Sequence, residues 1–275
     1  RLGCNSMRPH SVLRLTCVAV LMAIFFLLIH SAPSPVLSHG KDKVQSSDPT
    51  EKSWTPPRVA EFQEERAHMV QTQMVQRRPA IRDTSVLEAM RQVPRHLFVP
   101  EHLHARAYDD TPLPIGHAQT ISQPYIVASM SQLLEAAASD TVLEIGTGSG
   151  YQAAVLSHLC RRVYTMERHP ALLRQAEKRL HDLGYHNVPT LLADGTNGWP
   201  EQAPFDKIIV TAAAGSIPQV LIDQLREGGI LVAPIGESRD NQMLVRVRKL
   251  GGQIEQEDLL PVRFVPLLKG VARET

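Results

Sequence analysis

Gly146, Gly148 and Gly150 stand at alternate positions directly after a short apolar run, residues 142–145, and directly before a helix-forming stretch, residues 151–159. Without a Cβ, a glycine lets the backbone turn sharply and lie against a ligand where a side chain would collide. A buried strand, a glycine turn and a helix in that order form a nucleotide cradle. The spacing narrows the choice. A dinucleotide fingerprint needs its third glycine at 151, which is Tyr151. No Lys-Ser or Lys-Thr follows, so the loop is not a phosphate-binding P-loop. What stands is G-x-G-x-G with Glu144 two residues before it. An ordinary glycine-rich turn without a ligand is the alternative.

Other positions converge on the same end of an open parallel sheet, where ligands bind beside the carboxyl ends of strands. Glu167 follows the strand 163–166 and lies 21 residues beyond Gly146. Its carboxylate can accept bonds from both hydroxyls of a ribose, or simply face solvent at a strand end. Asp194-Gly195 follows the strand 188–192. The aspartate can accept from an adenine amino group, and the pair also reads as a plain turn. Residues 211–215, Thr-Ala-Ala-Ala-Gly, are small enough to leave room beside a cofactor. Ser122, in the stretch Thr120-Ile121-Ser122-Gln123-Pro124, is either a reactive-site hydroxyl or a cap for the helix that follows.

The elements that must position these residues alternate. Strands are expected at 142–145, 163–166, 188–192, 205–211 and 228–234, with helices between them, one of them at 170–183 with Pro170 at its start and Gly184 past its end. This implies a parallel sheet covered on both faces. Residues 243–250 alternate apolar and basic side chains, Gly251-Gly252 makes a turn, and 259–264 is a further strand, so an antiparallel pair closes one edge. Before the sheet, a helical pattern starts near Arg58 and ends at Arg77-Arg78-Pro79. Ser85 and Glu88 form a capping-box spacing for a short helix ending before Pro94. Residues 108–123 read as an irregular loop, and Pro124 opens a helix through Ala137.

The chain of 275 residues suffices for one large α/β domain with extensions. A formal net charge of +1 argues against a nucleic-acid partner. Cys4, Cys17 and Cys160 stand far apart, and no Cys/His cluster has metal-ligand spacing. We therefore expect no metal. Residues 15–29 are apolar behind Arg8, His10 and Arg14, too short for a comfortable membrane span and similar to a signal-peptide core, with a retained anchor as the alternative. Residues 31–57 are rich in Pro, Ser and charge, the composition of a disordered linker. The expected division is a signal-like or anchor segment with linker over 1–57 and one catalytic domain over 58–275.

G-x-G-x-G behind an acidic strand resembles motif I of S-adenosylmethionine-dependent methyltransferases. Together with residues 120–124, with Arg263-Phe264-Val265-Pro266-Leu267, and with residues 205–213 and 227–231, it resembles the protein-L-isoaspartate O-methyltransferases. Pro94-Arg95-x-x-Phe98-Val99 matches that family's N-terminal helical region. The likeness spans roughly residues 60–271, and its first and last motifs are specific to that family among methyltransferases. Two loops depart from it: Ala193-Asp194-Gly195 replaces a common Gly-Asp-Gly, and Ala214-Gly215 a common pair of prolines.

The resemblance implies a Rossmann-like α/β methyltransferase fold with a mostly parallel sheet, an antiparallel C-terminal strand pair and N-terminal helices. It implies S-adenosylmethionine as cofactor and damaged proteins with isoaspartyl residues as partners. Thr120, Ser122, Gly146, Thr147, Gly148, Ser149, Glu167, Asp194 and Gly195 would bind the cofactor. Ser122 would orient the substrate carboxylate, and Val265, Pro266 and Leu267 would line the peptide cleft. The family implies a cytoplasmic protein, with export or anchoring through residues 7–40 as the alternative, and membrane contact only if that segment is retained. A small-molecule methyltransferase and a catalytically silent cofactor-binding protein are the other classes these residues allow.

Overall fold

The structure, a computed structural model, describes residues 56–273. The apolar segment 15–29 and most of the linker lie outside them. Among the described residues no helix is long and apolar enough to cross a membrane.

A seven-stranded sheet organises the molecule, in the order β5-β4-β3-β6-β7-β8-β9. Strands β3 (Thr141–Ile145), β4 (Arg162–Glu167), β5 (Thr190–Leu192), β6 (Phe205–Val210) and β7 (Leu225–Ile235) are parallel. β8 (Gln242–Leu250) and β9 (Gln253–Val262) add antiparallel at one edge. From β3 the chain proceeds outward through β4 and β5, then returns to β6 on the other side of β3. The order therefore reverses between β3 and β6, which makes the crevice at their carboxyl ends the place for a ligand.

Side chains alternate across the sheet as the strand period requires. Val142, Ile209, Ile230 and Val232 enter one core, which α3 (Pro124–Leu134), α4 (Tyr151–Ser157) and α5 (Pro170–Asp182) cover together with the N-terminal helices. Leu143, Ile145, Ile208, Val210 and Leu231 enter the other, under α6 (Gln219–Gln224). Each fully buried Leu, Ile or Val contributes about 1.5–3 kcal/mol over leaving it exposed, so the central strands are fixed by burial on both faces.

The structure departs from the sequence expectation at several ends. The helical stretch after Arg58 becomes α1 only at Gln63–Val70 and continues as a π-turn, Gln71–Val75. Helix α2 (Thr84–Gln92) is capped by Asp83, whose Oδ1 accepts the Ser85 and Val86 amides at 2.9 and 3.2 Å. Ser85 and Glu88 do not form the capping box, because Asp83 already satisfies the free amides and Glu88 accepts from Gln92 at 2.9 Å. Helix α3 stops at Leu134, where Glu135 turns left-handed at φ 51°. β9 begins at Gln253, six residues earlier than expected, because the glycine turn pairs the last residue of β8, Leu250, directly with Gln253.

The expected irregular loop at 108–123 holds a small antiparallel hairpin, β1 (Leu113–Gly116) and β2 (Gln119–Ile121). Leu113 and Ile115 point inward and Pro114 and Gly116 outward. Pro114 lacks a ladder donor, which a two-stranded ribbon tolerates.

Candidate active site

The loop after β3 folds back on itself through positive φ at Gly146 (102°), Gly148 (52°) and Gly150 (86°). A Cβ on Gly146 would lie 2.3 Å from Thr211 Oγ1, and one on Gly195 would lie 2.4 Å from Ile145 Cγ2. These two glycines bring the loops after β3, β5 and β6 into contact. A Cβ on Gly148 meets only Ile115 Cδ1, at 3.5 Å. The space above that residue is otherwise free, as a cradle requires.

Glu167 ends β4 and does not face solvent: it is 6% exposed. Its Oε2 accepts the Gly148 amide at 2.9 Å, and its Oε1 accepts the Arg168 and His169 amides at 2.8 and 2.9 Å. A carboxylate offers about four acceptor directions, so capacity is left for a ribose hydroxyl. Deeper, Glu144 is fully buried. Its Oε2 accepts the Thr165 hydroxyl at 2.5 Å, and Thr165 in turn lies 2.7 Å from the Thr147 hydroxyl. Burial pushes the Glu144 carboxyl up to about 8, so it carries a proton at neutral pH.

Two adjoining cavities result. Gln119, Thr120, Gly146, Gly148, Glu167, His169, Gly195, Thr211 and residues 265–268 line the first. Ser122, Gln123, Ile126, Gln242, Arg263 and Phe264 line the second, and Thr120, Thr211 and Val265 belong to both. The C-terminal segment is held over them by backbone bonds between Ala213 and Val265 and between Leu267 and Ala213.

The expected site residues therefore divide. Thr120, Gly146, Gly148, Glu167 and Gly195 come together in the first cavity, and Pro266 and Leu267 stand there too. Val265 lies on the boundary, and Ser122 lies in the second cavity. Thr147 and Ser149 are buried within the loop, with Ser149 Oγ accepting the Tyr151 amide at 3.3 Å. Asp194 lines a neighbouring groove. Its Oδ1 accepts the Thr196 amide and hydroxyl, and its Oδ2 accepts the Gly270 amide at 2.7 Å. These bonds and nearby Lys269 hold its carboxyl below the usual range, against the opposing effect of burial. Ser122 caps nothing: the N-cap of α3 is Gln123, without a side-chain bond. Gln119 and His169 line the first cavity without a signal of their own in the sequence beyond the closeness of His169 to Glu167, while Phe264, part of the 263–267 motif, lines the second.

A glycine cradle at the switch point, an acid at the end of the second parallel strand and an adjoining cleft fit a methyltransferase of the S-adenosylmethionine-dependent class. The family model for protein-L-isoaspartate(D-aspartate) O-methyltransferase matches residues 64–272, and the chain belongs to that family. A protein-L-isoaspartate O-methyltransferase of Parvibaculum lavamentivorans is 57% identical over 201 residues, 72% of this chain and 90% of the relative. One of Rhodospirillum centenum is 52% identical over 209 residues, 76% and 95%. Among solved structures, a putative protein-L-isoaspartate O-methyltransferase of Plasmodium falciparum in complex with S-adenosyl-L-homocysteine is similar with a TM-score of 0.64. It shares 26% identity, and the match covers 74% of this chain and 99% of that one.

Proposed function

We propose that this protein transfers a methyl group from S-adenosylmethionine to the free α-carboxylate of L-isoaspartyl residues in damaged proteins, with Ser122 as the residue that orients that carboxylate. One observation carries the reading. The cavity that Glu167 and the glycine loop line and the cleft that Ser122 lines share Thr120, Thr211 and Val265, so a group held in one can react with a group held in the other.

The cofactor supplies, when bound, a methyl group already activated on a sulfonium. The chain's own task is positioning. The backbone at Gly146 and Gly148 and the Glu167 carboxylate would hold the nucleoside half. Ser122, whose hydroxyl has no structural task in the helix start, donates to the substrate carboxylate. That carboxylate, with a pKa of about 4, is already ionised at neutral pH, so no general base is needed. Among the residues of the Ser122 cleft only Asp240 is an acid, and it is exposed and paired with Arg263 at 3.0 Å. Holding the two reactants in line supplies several kcal/mol. Ile126, Phe264 and Val265 supply apolar wall to the cleft in which the nucleophile would lie. In the methyl ester methoxide leaves far more readily than oxide leaves a carboxylate, so the amide nitrogen of the following residue displaces it as methanol to re-form the succinimide, which water opens to normal aspartate or back to isoaspartate.

Supply of the cofactor favours the cytoplasm, since S-adenosylmethionine is made inside the cell. Membrane contact would require that residues 7–40, which lie outside the described part, be retained. The test is methyl transfer from labelled S-adenosylmethionine to an isoaspartyl peptide beside its normal aspartyl counterpart. Transfer to the isoaspartyl peptide alone is expected. Equal transfer to both, or none, rejects the assignment.

A further inference from the structure

Arg95 is a buried cation without a buried anion. It is fully enclosed. Its Nε donates to Ala107 O at 2.7 Å, and its two Nη atoms have no hydrogen-bond partner. The titratable groups nearest to it are the neutral phenols of Tyr151 and Tyr108, not a carboxylate, and burial pushes the guanidinium pKa down. An apolar side chain of similar volume would occupy such a place at lower cost. What the guanidinium does there is visible in its neighbour: it lies 4.8 Å above the ring of Tyr151, a desolvated cation–π contact.

Tyr151 directly follows the glycine loop and is the first residue of α4. Phe98 packs on it edge to face, with ring centroids 5.4 Å apart. Arg179 of α5 lies 5.9 Å over the Phe98 ring and donates through Nη1 to the Ser149 carbonyl at 2.7 Å. Leu180 beside it lies 3.3 Å from where a Cβ of Gly150 would stand. The stack Arg95–Tyr151–Phe98–Arg179 thus runs from the N-terminal helical region to the backbone of the glycine loop.

We propose that Arg95 and Phe98 are positioning residues for the cofactor loop, fixing Tyr151 and, with Arg179, the backbone of residues 146–150. The N-terminal segment thereby braces a pocket it does not line. This rests on the reading of the glycine loop as the cofactor cradle. The loop has three residues at positive φ, each free to take other conformations in an unbraced chain. A brace that holds one of them raises affinity by reducing what binding must order.

The experiment compares wild type with Arg95→Met, Arg95→Lys and Arg179→Gln. S-adenosylhomocysteine affinity is measured by calorimetric titration well below the unfolding temperature, with KM for each substrate and thermal unfolding alongside. Arg95→Met is expected to weaken S-adenosylhomocysteine about tenfold and raise KM for S-adenosylmethionine alike. KM for an isoaspartyl peptide should hold, and the unfolding temperature should not fall in proportion. Arg95→Lys, which keeps the charge without the flat guanidinium, should recover part of that affinity. Arg179→Gln removes the bond to Ser149 and the cation over Phe98 while leaving Arg95 on Tyr151, and should weaken S-adenosylhomocysteine severalfold in a folded protein, which keeps the test decisive if the Arg95 variants do not fold. Wild-type affinity in a folded Arg95→Met, or in Arg179→Gln, overturns the proposal. Absence of S-adenosylhomocysteine binding in the wild type overturns the cradle reading itself.

Discussion

Glu167 Oε2 stands 2.9 Å from the amide nitrogen of Gly148, so the acid and the glycine loop of the proposed cofactor pocket are one hydrogen-bonded unit without any ligand. With Arg168 and His169 on the other oxygen, both ends of this carboxylate face backbone donors. A glutamine cannot satisfy that arrangement, because its amide nitrogen must point at one of them.

Glu167→Gln should therefore weaken S-adenosylhomocysteine binding by about 1.5–3 kcal/mol and also lower stability by about 1–3 kcal/mol, the cost of an unmet buried donor. Calorimetric titration and denaturant unfolding measure the two losses separately. Unchanged affinity would remove Glu167 from the site.

Gly148→Val should abolish cofactor binding and leave the fold largely intact. The position has φ 52°, and only Ile115 lies near a Cβ there. A branched side chain at positive φ costs roughly 1–3 kcal/mol, while its methyls fill the cradle. A folded variant with undiminished S-adenosylhomocysteine affinity would show that the ligand does not approach this loop.

Ser122→Ala and Ser122→Gly should each lower turnover tenfold or more, with stability changed by about 0.5 kcal/mol or less, as for a surface substitution. The basis is that α3 starts at Gln123 without a side-chain cap. Methyl transfer to an isoaspartyl peptide beside thermal unfolding decides it. Near wild-type turnover of the glycine variant contradicts the assigned role.

Glu144 makes stability depend on pH. Its carboxyl is pushed from an ordinary 4.5 up to about 8 by burial, with nearby Glu167 adding to the rise. Between those values the folded protein keeps a proton that the unfolded chain has released. Stability must then fall as pH rises through this window, with a slope on the order of 1 kcal/mol per pH unit. Glu144→Gln, neutral at every pH, should flatten that slope in denaturant unfolding at pH 5, 6, 7 and 8. An identical slope in both proteins would assign the dependence elsewhere.

The sheet and the glycine loop were legible because their signals are local: a short apolar run and glycines at fixed offsets, with Glu167 at the next strand's end. The hairpin β1–β2 was not, since Pro114 and Gly116 interrupt its two inward residues, and its turn places His117 and Ala118 at φ 50° and 53° without glycine. The start of β9 escaped because residues 253–258 are exposed on both faces and carry no apolar alternation. The partner of Asp194 could not be read at all, because Gly270 lies 76 residues further along. The role of Asp83 was hidden by Thr84 and Ser85, two equally good capping residues, and only the reach of the side chain distinguishes them.

The walls that residues 264–268 give to both cavities follow every strand of the sheet in chain order. They are tied back by Arg168 to the carbonyls of Lys269 and Gly270 and by Asp194 to the Gly270 amide. In chain order the scaffold is thus complete before the roof of its site begins. A chain ending at Val262 would keep all seven strands and have no roof over either reactant, and loss of the residues after a single proteolytic cut between Val262 and Phe264 would silence a molecule that still looks folded.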